Sequence, residues 1–370
     1  MVKAKRAVIA SGGTGGHFYP GFALAQELRT RGWQTLFLVK KEDIARPALE
    51  EADFPYAELD MVSLPRSLNP LAHASFWARF FSSLAMARRV MKDFRPDAVV
   101  GTGSYVAFPA ILAARLAGVP VYIHESNAVF GLGNRIAAMF CTRAALGLPV
   151  RHDPAPGRSS LTGTPVRKDF AALPGRAEAR KALGLDPDRF TVLAFGGSQG
   201  AKRLNAAYAA ALKGLKGDVQ SLHIAGRRNF DEVRSAYGAA GLENAPGLKL
   251  FDYREDMPAL YAAADLVVCR SGASTVAELA LLAKPAVLVP LPTSAGDHQK
   301  HNALVLAAPG AALCVEEGND FDARLAAALR GLSGDPGRAA AMAAAYPRAG
   351  IPDGLKAAGA LADLLERGAA

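Results

Sequence analysis

Two stretches of this chain have the same order, and together they constrain the class of fold. Arg6–Ser11 is a short apolar strand that runs into Gly12-Gly13-Thr14-Gly15-Gly16-His17 and then into a helix over about Tyr19–Arg31. Far downstream, Phe190–Phe195 leads into Gly196-Gly197-Ser198-Gln199-Gly200 and a helix over Ala201–Leu215. A short apolar run bounded by turn residues is the pattern of a strand buried on both faces of a parallel sheet. Followed by a glycine turn and a helix, it opens a doubly wound α/β domain. Found twice, it predicts two Rossmann-like domains facing each other across a cleft.

The segments between fit this scheme. Leu36–Val39, Asp97–Gly101 and Val119–His124 read as strands of the first domain. Ser221–Ala225, Leu248–Phe251, Leu266–Cys269, Ala286–Val289 and Ala311–Val315 read as strands of the second. A short strand ending near Val166, with Pro174-Gly175 soon after, marks a boundary. The expected domains are 1–166 and 167–351, with a helical tail over about 352–370 packing back on the first.

At 370 residues, 51% hydrophobic and 21% charged, the chain is long enough for two globular cores. The net charge of +9 suits an acidic partner, either a diphosphate substrate or an anionic membrane surface. Nucleic acid is not expected, because the basic residues are scattered and not interleaved with aromatics. The three cysteines, Cys141, Cys269 and Cys314, lie far apart in apolar surroundings and read as buried thiols of a reducing cytoplasm. No metal-ligand spacing or cofactor motif appears, so neither metal nor cofactor is expected. The apolar segment after Lys3, Lys5 and Arg6 is too short for a signal peptide, and no run has the length of a membrane span. A cytoplasmic protein able to touch a membrane is expected.

Several patterns carry chemistry. Glycine turns leave backbone N–H groups at a helix start, where anions dock. The first turn is not G-x-G-x-x-G, and the chain has no Gly-Lys pair, so a Walker loop is excluded. His17 follows that turn at the positive end of a helix, which disfavours imidazolium and suits a base for a sugar hydroxyl. Local capping or packing is the rival role. Cys269-Arg270-Ser271-Gly272 leads from strand to helix, and Glu278 one helical turn in suits two neighbouring hydroxyls, as on a ribose. This element reads as the nucleotide site of a nucleotide-sugar. His124-Glu125-Ser126-Asn127 lies beyond a parallel strand's carboxyl end, where open α/β sheets bind ligands. Arg167, Arg254, Ser198 and Gln299 are further candidates for phosphate or sugar. Phe76, Trp77, Phe80 and Phe81, beside Arg79, Arg88, Arg89 and Lys92, form either a core stripe or an interfacial helix dipping into lipid.

Taken in order, these motifs, with Gly163-Thr164-Pro165-Val166-Arg167 and Asp297-His298-Gln299 with Asn302, resemble the MurG family of glycosyltransferase family 28. The resemblance runs from the first strand to about Val305. It implies a GT-B fold and inverting transfer of N-acetylglucosamine (GlcNAc) from UDP-GlcNAc to the muramoyl O4 of lipid I, giving lipid II, at the cytoplasmic face of the inner membrane. It further implies Thr14, Gly15 and Gly16 at the sugar-diphosphate and Asn127 on the GlcNAc. Arg167 and Ser198 would lie at the diphosphate, and Ala273, Ser274, Thr275, Val276, Ala277 and Glu278 at the uridine. Gln299 would contact the donor sugar, and His17 would stand near the acceptor hydroxyl. The membrane patch would fall at Phe76–Phe81. Arg254 departs from the pattern, standing where the family often has an apolar residue near uracil. A UDP-GlcNAc 2-epimerase, transfer to a diacylglycerol acceptor and a non-catalytic UDP-sugar-binding subunit are the rival functions.

Overall fold

The computed structural model describes residues 4–65, 69–197, 201–215, 217, 219–243 and 245–368. The chain separates into two compact units, one of residues 1–166 with 352–370, the other of residues 167–351.

The strands of the first unit are β1 (Arg6–Ala10), β2 (Gln34–Lys40), β3 (Tyr56–Leu59), β4 (Ala98–Gly101), β5 (Val121–Glu125), β6 (Arg143–Leu146) and β7 (Ser159–Leu161). They form one sheet in the order β3-β2-β1-β4-β5-β6-β7, with parallel pairing throughout. The order reverses between β1 and β4, so a crevice opens beyond their carboxyl ends. The first glycine turn and Thr102–Tyr105 lie there. Strands β3 and β6 were not legible in the sequence. Tyr-Ala-Glu-Leu and Arg-Ala-Ala-Leu lack the β-branched run that marks a buried strand.

The first helix spans Gly15–Thr30, four residues earlier than its expected start. Glycines 15 and 16 are poor helix formers and hide the true beginning. The Thr14 carbonyl nevertheless accepts from the N–H groups of His17 and Phe18, closing the first turn. The tail helix Ala357–Gly368 packs against this helix, with Leu361 and Leu365 buried beside Leu24 and Leu28. Arg31 clamps the pair through Asp363 at 2.6 Å and Glu366 at 3.0 Å.

The aromatic helix spans Pro70–Phe94, and its four rings separate by helical phase. Phe76 and Phe80, one turn apart, are 9% and 5% exposed and join the core beside Ala87 and Met91. Trp77 and Phe81 sit about 100° further round and are 49% and 60% exposed. The expectation that all four touch a membrane is therefore corrected: Phe76 and Phe80 face inward. Among the described residues no helix is long and apolar enough to cross a membrane.

The second unit has strands β8 (Thr191–Phe195), β9 (Gln220–Ile224), β10 (Leu248–Phe251), β11 (Leu266–Cys269), β12 (Ala286–Leu288) and β13 (Ala312–Cys314). They form a parallel sheet in the order β10-β9-β8-β11-β12-β13. The switch point here falls between β8 and β11, beneath Gly196-Gly197 and the Arg270–Gly272 turn. A buried polar network braces this sheet. Tyr237 donates to His223 Nδ1 at 2.8 Å and His223 Nε2 donates to Asn205 Oδ1 at 3.2 Å, while burial lowers the His223 pKa to about 3.

Candidate active site

In the first unit the glycine turn places His17. Gly12 and Gly13 have φ of +134° and +83°, which side-chain-bearing residues rarely adopt. Beyond them His17 Nδ1 lies 3.0 Å from the carbonyl oxygen of Thr102. A carbonyl can only accept, so Nδ1 carries the proton and Nε2 carries the lone pair of the neutral ring. Gly103 (φ +98°) lies against this ring: a Cβ there would stand 3.1 Å from His17 Nδ1 and 3.2 Å from Asn134 Nδ2.

The loop after β5 is built around Glu125, which is 2% exposed. Its Oε1 accepts from the Asn127 backbone N–H and Nδ2, both at 3.0 Å. Its Oε2 accepts from Gly131 N at 3.0 Å and Asn134 Nδ2 at 2.9 Å. Neighbouring His124 is fully buried, donates from Nε2 to the Gly163 carbonyl and accepts from Ser126 Oγ at Nδ1. Burial lowers the His124 pKa. Of the four polar residues, three are therefore internal struts, and half-buried Asn127 is the one presented, its amide oriented by Glu125.

In the second unit, β11 delivers the Arg270–Gly272 turn to the helix Ala273–Leu282. Arg270, 8% exposed, donates to the carbonyls of Val289 and Pro290 and pairs with Glu317 at 2.6 Å. Ser271 Oγ donates to the Gln299 carbonyl at 2.7 Å, and Asn302 Nδ2 donates to the Ser271 carbonyl at 3.1 Å. The turn is thus tied to the segment after Asp297, whose φ of +52° follows Gly296 at +59°. The Gln299 amide oxygen accepts from Leu291 N at 3.0 Å, which orients that side chain.

Gly272 caps its helix without a side chain, so the first-turn amides of Ala273 and Ser274 have no capping partner from it. Val276 and Ala277 are buried, whereas Ser274, Thr275 and Glu278 are half-buried. Tyr261, itself fully buried, donates to Glu278 Oε2 at 2.9 Å. Desolvation raises the Glu278 pKa to about 7, against the opposing pull of the Tyr261 hydroxyl and the Arg167 guanidinium. Arg167 pairs with Asp169 at 3.0 Å and donates to the Glu255 carbonyl at 3.2 Å. Among the described residues no group of three or more His, Cys, Asp or Glu side chains is placed to hold a metal ion.

Residues 7–146 match the glycosyltransferase family 28 N-terminal domain, and residues 191–357 match the C-terminal domain of the same family. Over 365 residues the chain is 41% identical to the UDP-N-acetylglucosamine--N-acetylmuramyl-(pentapeptide) pyrophosphoryl-undecaprenol N-acetylglucosamine transferase of Elusimicrobium minutum, covering 98% of this chain and 99% of that one. The chain belongs to glycosyltransferase family 28. The family 28 relative of the same name from Halorhodospira halophila is 41% identical over 357 residues, covering 95% of this chain and 96% of that one. The crystal structure of MurG from Acinetobacter baumannii superposes with a TM-score of 0.79 at 29% identity, over 98% and 99% of the two chains. The calicheamicin glycosyltransferase CalG4, at 15% identity and a TM-score of 0.70, shares the fold.

Against this family 28 frame, the first unit gathers Thr14, Gly15, Gly16 and His17 at its switch point, and the second gathers Ala273–Glu278, Arg167 and the oriented Gln299. Ser198 lies outside the described residues. The Arg254 guanidinium grips Asp256 with two bonds, at 2.7 and 2.5 Å, and lies over the Phe251 ring. Thr102 and Tyr261, which hold His17 and Glu278, were not among the expected site residues. Thr102 acts through its carbonyl and Tyr261 from a buried position, and neither leaves a sequence signature.

Proposed function

We propose that this chain transfers GlcNAc from UDP-GlcNAc to the muramoyl O4 of lipid I, with inversion, to give lipid II for peptidoglycan synthesis. The observation that carries this reading is near-full-length similarity to relatives that bear the name of that transferase. In this reading the second unit holds the donor. Turn amides take the diphosphate, and Glu278 takes two ribose hydroxyls. The first unit serves the acceptor: His17 Nε2 accepts the proton of the attacking hydroxyl while Nδ1–H stays on the Thr102 carbonyl. The imidazolium that forms keeps that hydrogen bond, so the ring need not reorient. Arg167, released from Asp169, and the turn amides neutralise the departing UDP. Asn127 and Gln299 hold the sugar.

The enzyme acts as a peripheral protein on the cytoplasmic face of the inner membrane. Trp77 and Phe81 would dip into an anionic surface beside exposed Arg88, Arg89 and Lys92. Peptidoglycan synthesis ties it to cell shape and division. UDP release from UDP-GlcNAc, measured with diacylglycerol in place of a lipid I analogue, tests the acceptor. Release with diacylglycerol alone would transfer the assignment to glycolipid synthesis.

A further inference from the structure

The first glycine turn precedes a sixteen-residue helix whose N-cap residue does not cap it: the exposed Thr14 makes no side-chain capping bond. The turn is held by a residue thirty positions away instead. Asp43, 7% exposed in the loop after β2, accepts from Gly13 N at 2.7 Å through Oδ2 and from Ala45 N at 3.0 Å through Oδ1. Both carboxylate oxygens are thereby committed. A Cβ on Gly12 would stand 2.7 Å from Oδ2, so any side chain there expels the carboxylate. The residue before Asp43, Glu42, has φ of +55°, a strained value for a residue with a side chain. The chain thus adopts an unfavourable backbone next to a carboxylate aimed at the turn.

We infer that Asp43 is a positioning residue of the first glycine turn, closing the Gly13 amide so that a substrate phosphate is read by the amides of Thr14, Gly15 and Gly16. The inference rests on the proposed reaction, in which the first unit serves the acceptor, whose diphosphate would meet this turn. The amino end of a helix favours one anion, and two anions cannot share one N–H. With the carboxylate resident on Gly13, the phosphate is displaced toward the helix start, the side on which His17 stands. The same bond fixes two glycines whose backbones are otherwise free to rearrange.

The test uses the full chain with Asp43→Ala and Asp43→Asn. Asn has one amide oxygen and can satisfy only one of the two N–H groups, so its effect is intermediate. Asp43→Ala is expected to lower kcat/KM by about tenfold or more while the Kd for UDP alone stays within about twofold. Added formate, refilling the carboxylate position, restores part of the lost turnover. The Gly13 amide proton resonance moves upfield in Asp43→Ala, and in Asp43→Asn moves less, or not at all where the amide oxygen keeps that N–H. Wild-type-like turnover in Asp43→Ala, equal loss of UDP binding and turnover, or loss of turnover with no formate rescue would each overturn the role. Should Asp43→Ala fail to fold, Asp43→Asn carries the same measurements. A wild-type chain that transfers no GlcNAc would sink the proposed reaction alone. The Gly13 resonance would still decide Asp43, and an unshifted signal in Asp43→Ala would refute the contact.

Discussion

The buried hydroxyl of Tyr261 donates to Glu278 Oε2 at 2.9 Å, placing a neutral donor behind the carboxylate assigned to the ribose. Tyr261 is wedged between Phe170 and Phe195, with ring centroids at 5.6 and 6.0 Å, so it cannot turn away. Tyr261→Phe removes the hydrogen bond and keeps the packing. UDP affinity should fall by about three- to tenfold, as for one hydrogen bond to a charged group, with kcat at saturating donor little changed. Isothermal titration of UDP checks this.

Glu278 also sets a pH dependence. Its pKa of about 7 means that near neutrality a sizeable fraction is protonated. Ribose hydroxyls donate best to the ionised form, so UDP binding should tighten between pH 6 and pH 8. Glu278→Gln should weaken binding and flatten that slope. The stability sign runs the other way. A carboxyl whose folded pKa lies above its unfolded value favours folding at low pH, and that contribution is lost as pH rises through about 7. Glu278→Gln should therefore raise Tm at pH 8 relative to wild type and gain less at pH 5.

His17→Ala should lower kcat by roughly a hundredfold or more and leave UDP affinity in place, because general bases contribute to turnover on that scale. Gly103→Ala should mimic it in part. Its methyl would stand 3.1 Å from His17 Nδ1 at a φ of +98°, so the ring is pushed out of its place against the Thr102 carbonyl. Single-turnover rates against UDP titrations separate the two effects.

The aromatic helix divides into two pairs with opposite expected phenotypes. Trp77→Ser with Phe81→Ser should reduce sedimentation with anionic vesicles and leave Tm nearly unchanged. Phe76→Ala or Phe80→Ala should cost about 3–5 kcal/mol of stability each, as core aromatic truncations do. Loss of vesicle binding in folded Phe76 or Phe80 variants, with none in the Trp77/Phe81 pair, would refute the division.

Arg254 is already satisfied by Asp256, so Arg254→Ala should change UDP affinity by less than about threefold. A larger loss would show that the guanidinium leaves Asp256 for the nucleotide.

Much of this was legible in sequence because parallel strands and glycine turns are local signals. Leu248–Phe251, Leu266–Cys269 and the helix Ala273–Leu282 stand where their apolar runs place them. Less legible was anything decided by tertiary phase. Phe76 and Trp77 are adjacent in sequence and belong to the same residue class, and only helical rotation against the sheet sends one inward. Glu125 looked like a ligand contact because its role as a four-bond strut depends on Gly131 and Asn134, which no local pattern connects to it. Asp43 and Thr102 act on the glycine turn from other loops, and their roles appear only once β1, β2 and β4 lie side by side.

The central claim is tested most directly by incubating the purified chain with UDP-GlcNAc and a short-chain lipid I analogue, and following UDP and product together. The account predicts UDP release that depends on the analogue, with a β-1,4-linked disaccharide as product. Binding of UDP-GlcNAc without any disaccharide, under conditions where the analogue is a substrate for a known lipid I transferase, would contradict it.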